Sequence, residues 1–384
     1  MKARNITVLL SAALLCIGTE VSAESWVIRT GDFGYKPRFI YDVGFDLRFD
    51  NREFTLEDLS PSGTVFGARL TPAVGFTSST YKATHTLMGG LVLSRDFGDV
   101  TVSGAGVLED VFFWYNYERS LGRGLSFGLT GGIFPRTASR ENWSTAFFSE
   151  RRCWYDPYMQ GLLLSLDGKD GRIELGCDWL GMNGAASDVK EQFMLFSAAH
   201  LQPLKWLRLG YNGYMMHLAN SAEAPGVADN ILAEPYVEFE LGGRRRILDE
   251  FTLRLGYLQS LQRDREVSSD FKAPGLGEFS VRAVRSDFGI SNSFYYGRDI
   301  LPLYGSADTA GQVYADRLYF SDPFFRIDPD GSGKAGFYDR MELFWAPQLG
   351  RNLSLKFAVV FHANSGSYSG CQQIISLSYN LNRK

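Results

Sequence analysis

Long apolar runs are the first feature that this sequence lacks. Beyond the extreme N-terminus, its 384 residues contain no stretch of about 18 consecutive apolar side chains, which a membrane-spanning helix requires. A helical membrane protein is therefore excluded. A strong net charge is also missing, because 39 basic and 43 acidic residues leave a formal charge of −4. The composition therefore indicates no nucleic-acid partner.

Cysteine and histidine are scarce, with four residues of each type. Cys153, Cys177 and Cys371 follow the predicted leader, and three cysteines at wide spacing form no disulfide framework, although Cys153 and Cys371 would pair if they lay close together. These residue types show no zinc-site spacing, and no histidine adjoins a G-x-S-x-G motif. The sequence predicts neither a cofactor nor an enzyme activity.

Residues 1–23 have the pattern of a secretory signal peptide. Lys2 and Arg4 form the charged start, residues 6–17 are a short apolar stretch, and residues 21–23 supply the small side chains of a cleavage site. We therefore expect an exported protein.

Glycine and aromatic residues are abundant, and hydrophobicity alternates with a period of two. In residues 39–49 the odd positions are all apolar or aromatic, whereas the even positions are mostly charged or glycine. The same alternation recurs in residues 125–133, 172–179, 251–257 and 353–361. This period is typical of β-strands that have one apolar face.

The alternating segments are long for strands of a soluble protein. They extend over about 9 to 13 residues, which suits a tilted strand that crosses a bilayer, whereas soluble strands average about 5 or 6 residues. We predict an all-β fold, a single transmembrane antiparallel β-barrel of about 16 strands, within a range of about 14 to 18. The predicted strands are residues 38–50, 64–76, 84–97, 107–118, 124–134, 157–167, 171–180, 191–202, 206–217, 231–241, 250–261, 277–285, 287–297, 337–346, 352–363 and 371–381.

The connections between these strands alternate between long and short. Residues 135–156 and 364–370 are long gaps, whereas residues 168–170 form a short one. Outer-membrane barrels have long extracellular loops and short periplasmic turns. We therefore expect both termini on the periplasmic side and a single barrel domain over residues 24–384, closed because a strand in lipid must pair every backbone group.

Six short segments carry a family resemblance, at residues 49–54, 63–72, 85–90, 96–98, 216–220 and 321–325. With the strand pattern, the chain resembles bacterial outer-membrane porin-like barrels, and more narrowly uncharacterised outer-membrane proteins of Bacteroidetes-type bacteria. The resemblance implies a location in the cell outer membrane and no particular substrate. The chain departs from this family in one respect. Such barrels usually end on an aromatic residue, whereas residues 382–384 follow the last predicted strand here.

Charged side chains occupy the polar phase of the predicted strands. In a porin, opposed acidic and basic side chains orient and filter polar solutes. The alternative is that these charges pair across neighbouring strands and fill a closed lumen. The candidate pore-lining residues are Asp42, Asp46, Arg48, Arg69, Glu118, Arg172, Glu174, Asp178, Arg208, Arg254, Arg282, Arg340 and Glu342.

Residues 298–336 form the longest gap. They fold inward as a constriction loop or form one more hairpin outside the membrane. If they contribute two membrane strands, the strand number becomes eighteen. A weak calcium-loop pattern begins in the same gap, with Asp328, Asp330, Ser332 and Asp339 at ligand positions. Clusters of aspartate, proline, glycine and serine are also ordinary turn chemistry, so no metal is predicted.

The sequence predicts a porin-like channel for the passive diffusion of small polar solutes. Its expected partners are membrane lipid and lipopolysaccharide, the solutes themselves and the outer-membrane assembly machinery, with the oligomeric state left open. One alternative is a closed or plugged barrel that serves as a surface adhesin or docking protein. Another is an outer-membrane hydrolase.

Overall fold

The computed structural model describes residues 37–384, apart from residues 57–58, 99–106, 183–189, 220–225, 244–246, 329–331, 366 and 384. The predicted signal peptide, residues 1–23, lies outside the described residues. Two short helices, Glu150–Tyr155 and Ala315–Leu318, and two 3₁₀ turns, Arg136–Ala138 and Pro323–Phe325, accompany the strands. No helix in the described part of the chain has the length and apolar character that crossing a membrane requires.

Sixteen antiparallel strands close into one barrel, in which β1 pairs with both β2 and β16. Each predicted strand is present, with ends shifted by a few residues, so the predicted fold class is confirmed. The strands are β1 (Arg38–Phe54), β2 (Gly63–Ser79), β3 (Ala83–Asp96), β4 (Leu108–Gly122), β5 (Leu125–Pro135), β6 (Tyr158–Asp167), β7 (Gly171–Gly181), β8 (Gln192–Leu204), β9 (Leu207–Leu218), β10 (Ala228–Glu240), β11 (Glu250–Asp264), β12 (Gly275–Arg285), β13 (Phe288–Gly297), β14 (Gly336–Trp345), β15 (Leu353–Asn364) and β16 (Ser367–Arg383).

The outer wall of the barrel is apolar because alternate side chains of each strand point away from the lumen. On this wall Phe45 of β1 lies between Leu70 of β2 and Tyr379 of β16. Val74 is 57% exposed and Phe113 is 61% exposed, far more than side chains of a soluble core. The predicted apolar phase is thus the outward phase, and it suits a surface that contacts lipid.

Most connections alternate between long and short as predicted, but residues 241–249 between β10 and β11 are as long as residues 219–227 between β9 and β10. Residues 364–370, predicted to be a long gap, form a tight turn in which Asn364 of β15 pairs with Ser367 of β16. The serine and glycine residues there have the composition of a loop, but β16 stays paired with β1 as far as Gly370 opposite Phe54. The first residue of β1 and the last residue of β16 lie at the end of the barrel that carries the short turns.

Residues 298–335 form the β13–β14 loop, which folds into the barrel. The carbonyl oxygen of Leu318 accepts a hydrogen bond from Asn230 at 2.9 Å, and that of Phe324 accepts one from Asn364. The sheet closes with sixteen strands, so the eighteen-strand alternative is wrong and the inward alternative is confirmed.

The main apolar core lies inside the barrel, in the half that carries the long loops. There the ring of Phe325 from the β13–β14 loop packs against Tyr295 and Tyr338 of the wall, with centroids 4.7 and 4.9 Å apart. Phe147, from the connection between β5 and β6, packs against Tyr214 at 5.5 Å. Aromatic pairs of this kind contribute about 0.5 to 1.5 kcal/mol beyond their burial, so both long connections are held to the wall.

The ring of Phe325 is fully buried, so its removal should release the β13–β14 loop. Truncation of a buried phenylalanine costs about 3 to 5 kcal/mol. We expect Phe325→Ala to speed amide hydrogen exchange in residues 315–327 by about a hundredfold, since local opening follows local stability. Hydrogen-exchange mass spectrometry of the protein in detergent measures this rate.

Phe294→Ala is the matched control, because Phe294 lies on the outer wall of the same strand as Tyr295. It should leave exchange in residues 315–327 unchanged. Equal exchange rates in Phe325→Ala and the parent protein would contradict the role assigned to this ring.

Candidate functional site

Residues 136–157 form the β5–β6 loop, which enters the lumen and is fixed to the wall by buried polar contacts. Arg136 donates to Asp178 of β7 at 2.7 Å, and Ser139 donates to Glu174 of the same strand at 2.6 Å. Both carboxylates are almost completely buried. Removing a partner from such a carboxylate leaves an uncompensated buried charge, so these contacts hold the start of the loop firmly.

The middle and the end of this loop reach other parts of the wall. The carbonyl oxygen of Asn142 accepts hydrogen bonds from Asn212 of β9 at 2.9 Å and from Arg254 of β11 at 3.1 Å. Farther along, Glu150 accepts from Arg340 of β14 at 2.6 Å and from Arg48 of β1 at 3.3 Å. The loop therefore spans the lumen from β7 to β14 and β1.

The helix Glu150–Tyr155 brings one carboxylate and one aromatic ring to a group of arginines. Burial disfavours the charged form of Glu150, but Arg340 and Arg48 outweigh that effect and lower its pKa to about 2. The ring of Trp154 lies 4.5 Å from the guanidinium of Arg69. Glu150 is therefore ionised at neutral pH and offsets part of the positive charge of the two arginines that it contacts.

A cavity of about 200 Å³, here named the outer cavity, lies on the long-loop side of the β5–β6 loop. Arginines and carboxylates line it together, so that most of its charges have an opposite neighbour. Its charged lining residues are Arg48, Asp50, Arg52, Glu150, Arg151, Arg152, Asp316, Asp322 and Arg340.

A larger cavity of about 700 Å³, here named the inner cavity, extends toward the short turns. Thr145 and Arg340 line both cavities, so the two adjoin beside the β5–β6 loop. Lys205 and Asp249, which lie in the β8–β9 and β10–β11 connections, place the far side of the inner cavity at the short-turn end of the barrel. The charged lining residues of the inner cavity are Lys205, Arg208, Glu238, Glu240, Asp249, Glu250, Arg254, Glu278, Arg282 and Arg340.

Arg254 is held at the wall of the inner cavity by a ring and two carboxylates. Its guanidinium lies 3.6 Å from the ring centroid of Tyr236, and it pairs with Glu234 at 2.9 Å and Glu278 at 3.5 Å. The ring of Tyr236 covers Gly210 on the neighbouring strand, where a Cβ atom would collide with it. A glycine on β9 thus makes room for the ring that supports Arg254.

The structure divides the thirteen predicted pore-lining residues into two groups. Five line the cavities, namely Arg48, Arg208, Arg254, Arg282 and Arg340. The other eight line neither cavity and contact a neighbouring strand or the β5–β6 loop. They are Asp42 with Asn380, Asp46 with Ser378, Arg69 with Glu109, Glu118 with Arg140, Arg172 with Asp167, Glu174 with Ser139, Asp178 with Arg136, and Glu342 with Lys356.

Several lining residues are absent from the predicted set. Asp50 is the last residue of the predicted first strand and was left out of the set, whereas Arg52 continues the polar phase of β1 past the predicted end at residue 50. Glu150 and Arg152 belong to the gap read as an extracellular loop, and strand periodicity carries no signal for a loop that folds inward.

The calcium-loop pattern describes a turn in this chain. The carboxylate of Asp328 accepts hydrogen bonds from the hydroxyl of Ser332 and from the main-chain N–H of Gly333. Asp339 lies on β14 and accepts from Asn292 at 2.7 Å, whereas Asp330 lies outside the described residues. Among the described residues, no group of three or more His, Cys, Asp or Glu side chains is arranged to hold a metal ion.

Three of the histidines have these neighbours: His85 contacts the Tyr115 hydroxyl at 2.6 Å, His200 contacts Glu141 at 2.9 Å and His362 contacts Tyr338 at 2.9 Å. The fourth, His217, contacts Asp229 at 2.9 Å.

Cys153, Cys177 and Cys371 are free thiols, so the suggested pairing of Cys153 with Cys371 is wrong. Cys153 lies on the β5–β6 loop inside the barrel, whereas Cys371 of β16 pairs with Glu53 in the outward phase of the wall.

Comparison with protein-family models and with curated proteins gives no match. Among solved structures, the chain is similar to OccK3 (OpdO) of Pseudomonas aeruginosa, with 10% identity, a TM-score of 0.46 and coverage of 90% of this chain and 96% of that one. It is similar to the outer membrane protein opdK of Pseudomonas aeruginosa, with 12% identity, a TM-score of 0.45 and coverage of 90% and 99%. It is also similar to OccAB3 of Acinetobacter baumannii, with 9% identity, a TM-score of 0.44 and coverage of 90% of this chain and 99% of that one.

These likenesses extend over nearly the whole of each chain at very low identity. Sixteen-strand closure is established by the strand pairing of this chain itself. The narrower resemblance to Bacteroidetes-type proteins stays a prediction.

Arg136 should control how firmly the β5–β6 loop is held. Arg136→Gln leaves Asp178 buried without its cation, which costs about 3 to 5 kcal/mol. We expect the variant to be cut by trypsin after Arg151 or Arg152 at least about tenfold faster than the parent protein, while the barrel keeps the gel mobility of a folded protein. Glu118→Gln removes an exposed ion pair with Arg140 of the same loop and should leave the cleavage rate unchanged. Resistance of Arg136→Gln to trypsin would show that other contacts hold the loop.

Proposed function

We propose that the protein is an outer-membrane channel through which small polar solutes diffuse passively. The observation that carries the proposal is the pair of polar cavities that adjoin at Thr145 and Arg340. A closed sheet leaves no unpaired strand edge, and the apolar outer wall suits lipid. A solute can then exchange its hydration shell for charged and polar side chains along the lumen.

The narrow part of the proposed path is the outer cavity beside the β5–β6 loop. There Arg48 and Arg340 lie against Glu150, so a passing solute meets positive and negative groups at short range. Balanced charge of this kind orients a polar solute and provides no deep binding site, which permits rapid release. The wider inner cavity continues the path toward the short turns.

The proposal includes an orientation in the membrane. Long loops at one end and short turns at the other suit an extracellular and a periplasmic side respectively, so both termini are assigned to the periplasm. Residues 1–23 direct export, and the assembly machinery of the outer membrane inserts the barrel. Lipid and lipopolysaccharide contact the outer wall. The resemblance to Bacteroidetes-type outer-membrane proteins supports the same location.

A plugged barrel that serves as an adhesin or docking protein is the second candidate. It is favoured by the apolar core in the long-loop half, where Phe147 and Phe325 are fully buried. The two candidates differ in whether solute passes. The hydrolase alternative has no contact in its favour, because the contacts described above join the histidines to tyrosine, carboxylate or amide groups and none of these contacts is with a serine hydroxyl.

Planar-bilayer recording separates a channel from a plugged barrel. The folded full-length protein should produce discrete single-channel current steps in potassium chloride. Arg254→Gln should change ion selectivity, because it removes a positive charge from the inner cavity. A protein that is folded and inserted but gives no current steps would support the plugged barrel.

Glu150→Gln should make the channel more selective for anions, because it leaves Arg48 and Arg340 without their shared carboxylate. The reversal potential in a potassium chloride gradient measures this shift. Asp46→Asn is the control, since Asp46 points inward, contacts Ser378 and lines neither cavity. A larger shift in Asp46→Asn than in Glu150→Gln would place the charge-sensitive part of the path elsewhere.

The difference in ion selectivity between Glu150→Gln and the parent protein should persist in acid. Because its folded-state pKa is lowered to about 2, Glu150 stays ionised as the pH falls from 7 to 4. Its stabilising pairing with the arginines is complete above its ordinary pKa and is lost only as the pH falls through about 2. The selectivity difference, measured at pH 7 and at pH 4, should therefore be the same. Its disappearance by pH 4 would show that this carboxylate titrates normally.

A further inference from the structure

A row of polar and aromatic side chains crosses the outer wall at the long-loop end of β7 to β11. The strand register pairs Trp179 with Phe193, Phe193 with His217, His217 with Asp229, and Asp229 with Arg263. These positions belong to the outward phase, in which Trp179 is 43% exposed. The row is therefore on the membrane-facing surface, outside the proposed solute path.

The next outward row toward the short turns is entirely apolar. It consists of Cys177, Leu195, Met215, Ile231 and Leu261, paired in the same register. The change from apolar to charged side chains thus occurs between two adjacent rows. A change of this kind marks the level where hydrocarbon meets lipid headgroups, and Trp and Phe at its edge are typical of an interfacial aromatic belt.

The charged part of the upper row is a compact cluster around one carboxylate. Asp229 accepts hydrogen bonds from Arg263 at 2.8 Å, from Arg265 at 2.9 Å and from His217 at 2.9 Å. Its side chain is nearly buried by these groups, whereas the side chains of Arg263 and Arg265 are 25% and 44% exposed. Two guanidinium groups therefore share a single carboxylate, and both arginine side chains stay partly exposed.

Phe271 completes the surface. The guanidinium of Arg263 lies 4.3 Å from its ring centroid, and its Nη1 also donates to the carbonyl oxygen of Ser269 at 3.5 Å. These contacts fix the plane of the guanidinium before any ligand arrives. Asp229 likewise orients Arg265. Two guanidinium groups held in fixed planes suit a phosphate, whose oxygens accept hydrogen bonds from the arginine N–H groups that Asp229 does not use.

We propose that Arg263 and Arg265, oriented by Asp229 and Phe271, bind the phosphate of an outer-leaflet lipid headgroup. The lipid's acyl chains lie along the apolar row below, against Ile231 and Leu261. The site belongs to the outer wall and is separate from both cavities. It rests on the proposed outer-membrane location and is independent of solute passage.

The test uses the folded full-length protein in detergent and titrates it with diphosphoryl lipid A, with binding counted by native mass spectrometry. We expect the Arg263→Gln/Arg265→Gln double variant to bind at least about tenfold more weakly than the parent protein, because each arginine contributes to the attraction of an anionic lipid. Dephosphorylated lipid A should bind the two forms equally. Equal binding of diphosphoryl lipid A by both forms would overturn the proposal.

Two further arms identify the source of the phosphate and guard against misfolding. Inorganic phosphate at the concentration of the lipid should leave lipid A bound. Displacement of lipid A would assign the site to free phosphate and overturn the lipid assignment.

Arg285→Gln is the control variant, because it removes an outward arginine at the short-turn end. It should leave lipid binding unchanged. If the double variant does not fold, Arg265→Gln alone should weaken binding severalfold, since Arg265 follows the end of β11. Retained conductance with lost lipid binding would support the site independently of the channel.

Discussion

Every other feature of this chain depends on the pairing of all strand backbone groups in a closed sheet. In lipid, an unpaired N–H or C=O group has no water to bind, so β1 must meet β16 and the sheet can have no edge. Closure then gives each strand two faces with opposite solvents. In the proposed membrane location, the apolar face contacts hydrocarbon and the polar face contacts the lumen, which accounts for the alternation of hydrophobicity with a period of two along the chain.

Closure also creates an interior that two loops fill unequally. The β13–β14 loop packs aromatic rings against the wall at one end, whereas the β5–β6 loop brings charged groups to the middle. Glu150 balances Arg48 and Arg340, and Arg136 holds the start of the loop through Asp178. The same charges that fix the loop therefore set the electrostatic character of the narrow part of the lumen.

Strand number, strand order and the outward phase were all predictable from sequence because each strand repeats the same local alternation many times. The five cavity-lining arginines on the strands were predictable for the same reason. Glu150 and Arg152 were not, because the inward course of a loop depends on distant partners such as Arg340, and nothing local encodes it. The tight turn within residues 364–370 was not predictable either, because serine and glycine residues in a paired strand have the composition of a loop.

Liposome swelling tests the central claim most directly, because it measures passage of the solute itself. Liposomes that contain the folded protein should swell in small sugars and amino acids, at rates that fall as solute size approaches the width of the outer cavity. Protein-free liposomes in the same solutes set the baseline. Swelling at the baseline rate with every small solute, from a barrel shown to be folded and inserted, would contradict the account.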